Sequence, residues 1–310
     1  MYKIKRHIIL IFVLLLHLHS YAQNYFINFK SQTYLKKIDS VKIKNLTNNT
    51  NITLYGNNYY LLLSDTVNVA KISVKDKELK SHINNKHKFA IKYKKGDLLK
   101  FTAFSKKSIT VVLDIPDTNK TIYFYFDNCI DIDGNSYAIM KIGNKLWMVD
   151  NLKTTKYQNG DTIPNIIDNI KWNNINYGAY RNYFDNNKFV NKYGRLYNWY
   201  AVSDSRGIAP KGWRVPDKDD WNIMENTKMP GNNKTIGNIL KEKALYPAGY
   251  CDPKGGFGNI FNNGYWWLLS NNDAKTAWYT YLLYYNSSVS LTTCDKNHGF
   301  SVRCVKDIKD

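Results

Sequence analysis

The chain has 310 residues, 44% of them hydrophobic and 22% charged, which suggests about two domains. Its formal net charge is +19, but Lys and Asn abound throughout and no compact Arg-rich cluster stands out. A basic chain is drawn to anionic surfaces such as acidic polysaccharide. That abundance favours a compositional origin for the charge, although residues 24–128 carry +10 of it, and the export expected from residues 1–22 argues against a nucleic-acid partner.

Residues 1–22 read as a cleavable signal peptide. Lys3, Lys5 and Arg6 form a basic start, and Ile8 to Leu16 is an almost unbroken aliphatic run. Ser20-Tyr21-Ala22 places small residues where a signal peptidase reads them, so cleavage is expected before Gln23. The apolar run is shorter than the ~20 residues that a membrane-spanning helix needs. No other stretch is apolar enough to cross a bilayer, so the expected product has no transmembrane segment and is secreted or displayed at the cell surface.

Composition divides the remainder near Asn128. All 8 Trp lie from Trp147 onward, and all 4 Cys lie between Cys129 and Cys304. Residues 24–128 contain neither, and carry 18 Lys against 8 acidic residues. In this first module, alternation predicts half-buried strands at Val41–Lys44, Ile52–Tyr55, Val69–Val74, Lys88–Ile91 and Ile122–Phe126. Leu98–Phe104 and Ile109–Ile115 add two more. Asn48-Asn49, Gly56-Asn57-Asn58, Lys95-Gly96-Asp97 and Pro116-Asp117 punctuate them, which suggests an antiparallel, sandwich-like β module. No chemistry is visible in it.

The second module, 129–308, opens with Asp131, Asp133, Gly134 and Asn135. Alternate carboxylates resemble the start of a calcium loop, although the later acidic ligand is missing. Asp-Gly is also a strong hairpin signal, and the hairpin is the favoured reading, with no metal expected. Strands are expected over Tyr137–Ile142 and Leu146–Val149. A helix is expected over Tyr193–Val202 and another after Asp217, capped by that residue and stopped by Pro230-Gly231. Trp278–Tyr285 reads as a strand with Trp278, Thr280 and Leu282 on one side and Tyr279, Tyr281 and Tyr285 on the other.

Several motifs occur in order along this module. Ile142-Gly-Asn-Lys-Leu-Trp-Met148 is followed by Asn151-Leu-Lys-Thr-Thr-Lys-Tyr157 and Tyr193-Gly-Arg-Leu-Tyr-Asn-Trp-Tyr-Ala-Val202. Pro210-Lys-Gly-Trp-Arg-Val-Pro216, Trp221, Gly264-Tyr-Trp-Trp267 and Gly299-Phe-Ser-Val-Arg-Cys-Val305 complete the set. Together they resemble the Fibrobacter succinogenes major paralogous domain, found in exported proteins of Fibrobacter and Bacteroidetes. The stretch from Asp39 to Phe126 resembles the β module that often precedes it. The resemblance implies a C-type-lectin-like fold, shared with the formylglycine-generating enzymes. The expected fold class is therefore α+β, with a C-terminal C-type-lectin-like domain after an N-terminal all-β sandwich-like domain.

Four cysteines in an exported chain are most simply two disulfides, with three pairings open. The resemblance implies an outer bond, Cys129–Cys304, and an inner one, Cys251–Cys294. A thiol-based activity or a metal site would need closer spacing of Cys and His. A Ser/His/Asp site needs a histidine base, and only His82, His87 and His298 follow the signal peptide. Asp217, Asp219 and Asp220 lie close together, as glycoside hydrolysis would require, but capping explains them. No cofactor is implied, and the expectation is a protein that is not an enzyme. Binding remains, with polysaccharide or a surface protein as the expected partner. Tyr279, Tyr281 and Tyr285, with Asn271 and Asn272, are the candidate ligand-binding residues. The sugar-and-calcium motifs of classical C-type lectins do not occur.

Overall fold

Alternation in the first module translates into strands, most regularly over Leu99–Ser105, where every second side chain is buried. The computed structural model describes residues 24–33, 36–56, 59–65, 87–228, 235, 247–283 and 289–308. The expected signal peptide, the strand at Val69–Val74, Pro230-Gly231 and Tyr285 lie outside the described residues.

Strands β1 (Tyr25–Ser31), β2 (Ser40–Asn45), β3 (Asn51–Tyr55), β4 (Tyr59–Ser64), β5 (His87–Lys92), β6 (Leu99–Ser105), β7 (Ser108–Asp114) and β8 (Lys120–Phe124) make up the first module. One sheet has the order β5-β4-β1-β8. Its Ile27, Leu61, Leu63, Ile91, Ile122 and Phe124 face Val41, Ile43, Leu54, Leu99 and Phe101 from β2, β3 and β6. The second module follows with β9 (Ala138–Ile142), β10 (Lys145–Met148), β11 (Tyr180–Arg181), β12 (Leu196–Tyr197), β13 (Ala248–Cys251) and β14 (Phe257–Ile260). It ends with β15 (Gly264–Asn271), β16 (Thr276–Leu282), β17 (Val289–Asp295) and β18 (Val305–Asp307).

The two modules share a sheet. Its order is β18-β10-β9-β7-β6-β2-β3, and it crosses the compositional boundary where β7 pairs in parallel with β9, Ile109 opposite Ala138. A five-stranded sheet, β14-β13-β15-β16-β17, forms the far side of the second module. Between the two sheets, Trp147, Trp221 and Trp266 pack with ring centroids 5.5 and 5.8 Å apart.

The α+β, C-type-lectin-like expectation is overturned. Among the described residues, 43% are strand and 12% helix, arranged as several sheets with few helices. The helix expected over Tyr193–Val202 is broken into pieces. Gly194 takes φ +75°, a left-handed conformation that ends the helical turn Val190–Tyr193. Leu196–Tyr197 then pairs with Tyr180–Arg181, and Asn198 caps a new turn, Trp199–Val202, by accepting from Ala201 N. Only two longer helices occur among the described residues, α1 (Asn169–Asn174) and α2 (Lys218–Asn226).

α2 starts where the sequence places it. The Asp217 side chain accepts from Asp220 N at 2.9 Å, and the Asp220 carboxylate accepts from Asp217 N at 3.0 Å, a reciprocal capping box. Asp220 is buried, and it also receives Arg214 through both terminal nitrogens and Lys145 at 3.1 Å. Burial alone would raise its pKa, but the hydrogen bonds from Arg214, Asp217 N and Lys145 win and depress it to about 2.

Candidate functional site: a tyrosine face on the second sheet

The β15–β16 hairpin and its partner β17 set two faces by register. Tyr265 opposes Tyr281, Trp267 opposes Tyr279, and Tyr279 and Tyr281 oppose Thr292 and Ser290. Directly opposed residues share a face, so these rings gather on one side. Trp266, Leu268, Leu282 and Leu291 project to the other side and join the core around Trp147 and Trp221. Gly264 is needed at the head of β15, because a Cβ there would lie within the ring of Trp266.

The tyrosine side is partly sealed. Trp267 and Ala277 are fully buried beneath Tyr197 and Trp199, whereas Tyr265, Tyr279 and Tyr281 are half-buried. Tyr265 lies 6.1 Å from Tyr281 and 5.4 Å from Phe300, both in stacked geometry, and meets Tyr250 edge-on at 5.2 Å. Tyr279 lies 4.7 Å from Phe300 and 5.8 Å from Tyr281. The result is a continuous aromatic surface from β13 across β15 to β16. Its polar points are phenol groups, and the Tyr265 hydroxyl accepts from Asn259 Nδ2 at 3.0 Å. Burial pushes the phenols of Tyr279 and Tyr250 up, so they remain neutral donors at physiological pH.

His298 borders this surface, 5.4 Å from Phe300. Its Nδ1 is 3.1 Å from the carbonyl oxygen of Asp295. A carbonyl only accepts, so the contact assigns the proton to Nδ1 and leaves Nε2 as an acceptor. Burial pushes its pKa down.

Tyr279 and Tyr281 therefore share one face, as the alternation requires. Asn271 and Asn272 are not gathered with them. They sit at the exposed end of the hairpin, where the Asn272 amide donates to Asp273 and Thr276 and holds the turn. Tyr250, Tyr265, Phe300 and His298 were not singled out from sequence. Only the cross-strand register, and the approach of the 298–300 segment, bring them to Tyr279 and Tyr281.

The four cysteines are thiols in this structure. Cys129 and Cys304 share one core cluster, and the charge of Cys304 adds to the burial that raises the Cys129 pKa. Cys251 lies in a different cluster, beside Arg181, while Cys294 packs against the cluster of Tyr279. Burial pushes all four thiols up, Cys251 to about 12, so none has the low pKa of an activated nucleophile.

The remaining candidate chemistry is bound up in scaffold. Asp131 accepts from Asn135 N and Nδ2 and from the Tyr137 hydroxyl, while Asp133 accepts from Thr155 N at 2.6 Å. Their turn has Gly134 at φ +83°, as the hairpin reading needs. A cleft of about 360 Å³ beside this turn is lined by Thr154, Lys156, Gln158 and Lys211. Among the described residues, no group of three His, Cys, Asp or Glu is placed to hold a metal ion. Asn151 carries another part of the scaffold: its Oδ1 accepts from Trp266 Nε1 and from Arg303 Nε, both at 2.9 Å.

Residues 140–306, just over half of the chain, match the Fibrobacter succinogenes major domain. The chain belongs to this family. The matched segment runs from within β9 to within β18 and contains the whole tyrosine face. Its motif residues Asn151, Trp221, Trp266 and Arg303 are the ones that form the buried network, so the family signature is read here mainly as scaffold. No curated protein and no solved structure matches the chain. Among the described residues, no helix is long and apolar enough to cross a membrane.

Proposed function

We propose that the protein is an exported, non-catalytic binding or adhesion protein that recognises polysaccharide or a surface protein through the tyrosine face. The observation that carries this reading is the continuous, half-exposed surface of Tyr250, Tyr265, Tyr279 and Tyr281. Phenol rings offer flat apolar faces for the C–H faces of sugars and hydroxyls at their edges for polar groups. They do so at low entropic cost, because each ring is already held by its neighbours. Polysaccharide is the favoured partner, since the surface is flat and lined by neutral phenols and amides.

Export supports the reading from the other end of the chain. A signal peptide with cleavage before Gln23 would deliver the protein to the cell surface or the medium, where Cys129–Cys304 and Cys251–Cys294 would close as disulfides. The test is a glycan array and titration calorimetry on the chain from Gln23 onward. Reproducible glycan binding that falls roughly tenfold in Tyr281→Ala supports the proposal, since one stacked aromatic contributes about 1 kcal/mol or more beyond its area. A blank array, or binding indifferent to Tyr281→Ala and Tyr265→Ala, would sink it in favour of a module for protein contacts alone.

A further inference from the structure

Near the tyrosine face, a second aromatic cluster reaches the surface in an unusual way. Tyr183, Phe184, Phe189 and Phe257 contact one another with ring centroids 4.6–6.1 Å apart, and Phe261 joins through Tyr193 at 5.5 Å. Phe184 and Phe261 are nevertheless 59% and 58% exposed. Both also have left-handed backbones, φ +51° and φ +72°. Glycine or asparagine relieves such strain, and Asn49 and Asn259 do so elsewhere in this chain. A bulky apolar residue in that conformation, pointing at water, is costly twice over. Strain of this kind points toward function rather than stability.

The loops that carry these rings are not loose. Arg181, 2% exposed, ties them together: it pairs with Asp185, donates to Asn169 Oδ1 at 2.8 Å and to the Ile167 and Gly255 carbonyls, and lies 4.8 Å from the Phe257 ring. Ile167 and Ile170, at the same junction, are also exposed. The charges around this end are mainly positive. Lys171, Lys188, Lys192 and Lys254 are exposed. Of the acids, Asp185 is paired with Arg181, Asp168 caps α1 and Asp252 accepts from Gly256 N.

We propose that this end docks on an anionic lipid surface, with Phe184 and Phe261 entering the headgroup–acyl boundary and the lysines meeting the headgroups. Rigid apolar tips rimmed by lysine have the chemistry of interfacial binding, in which apolar burial and attraction to anionic lipid add. This is independent of what the tyrosine face binds.

The test is vesicle co-sedimentation of the chain from Gln23 onward, comparing phosphatidylcholine with phosphatidylcholine containing about a third phosphatidylglycerol. Binding is expected to the anionic vesicles, weakened in 0.5 M NaCl as screening requires. Phe184→Asn with Phe261→Asn should lower the partition coefficient roughly tenfold or more. That variant should stay folded at the assay temperature, because asparagine suits both left-handed backbones and so offsets part of the lost ring contacts. Lys188→Glu with Lys254→Glu should also weaken binding. Failure of the wild-type chain to bind anionic vesicles overturns the proposal and leaves this end to a protein partner. Equal binding by wild type and the Phe double variant, or equal binding to both vesicle types, overturns it as well.

Discussion

Asp220→Asn removes the buried one of two negative charges, Asp220 and Asp307, that pair with both Arg214 and Lys145 at the start of α2. Asp220 is 3% exposed, so water does little to weaken these contacts. Its carboxyl is held at about 2 against an ordinary 3.8, and at about 1.4 kcal/mol per unit that gap corresponds to about 2.5 kcal/mol of stability at neutral pH. Breaking a buried pair typically costs about 3–5 kcal/mol because it strands the partner charge. Here both cations keep Asp307 as a partner and some access to water, 38% exposed for Arg214 and 13% for Lys145, so the lower part of the range applies. Asparagine can still accept from Asp217 N, so the capping box survives in part. The expected loss is about 2–3 kcal/mol in urea unfolding at pH 7. The sign with pH follows from the depressed pKa. The stabilisation is fully present above the unfolded value near 3.8 and is lost as pH falls toward about 2. Wild type and variant should therefore converge between pH 4 and pH 2. A loss below about 0.5 kcal/mol at pH 7, within the range of ordinary surface substitutions, would refute the reasoning. So would a difference that persists unchanged at pH 2.5.

His298 is held below its ordinary pKa of 6.5 by burial, so the folded protein disfavours the charged ring. Stability should fall as pH drops from 7 toward 5, because the unfolded chain takes up the proton first. His298→Asn can keep the donor to the Asp295 carbonyl and should flatten that slope; an identical pH profile in thermal melts would count against it. For the cysteines, a non-reducing peptide map of the exported chain should recover Cys129 linked to Cys304, a closure that on chain-entropy grounds stabilises by about 4–5 kcal/mol before any strain. Recovery of both residues as alkylated thiols would dismiss that bond.

Much of the local structure was legible in the residues. The strands at Val41–Lys44, Leu98–Phe104 and Ile109–Ile115 announce themselves by alternation, because a half-buried strand must alternate. Asp217 announces the start of α2 because a cap is a local hydrogen bond. The α+β expectation rests on the family resemblance and on two helices, one of which, Tyr193 to Val202, does not form as a single helix. The apolar spacing there suits a helix, yet Gly194 and Asn198 interrupt it, and the pairing of Leu196–Tyr197 with Tyr180–Arg181 is a tertiary event.

The site divides along the same line. Sequence alone determined that Tyr279 and Tyr281 lie on one side of a strand and Trp278 and Thr280 on the other, since that needs only the two-residue period. It determined family membership too, because the motif order survives without knowledge of their contacts. Only the tertiary structure decided that Tyr265, Tyr250 and Phe300 complete the face, that Asn271 and Asn272 stay at the hairpin tip, and that Phe184 and Phe261 emerge from one aromatic cluster. Those placements depend on strand register and on loops pinned by Arg181, and both are set by contacts between residues far apart in the chain.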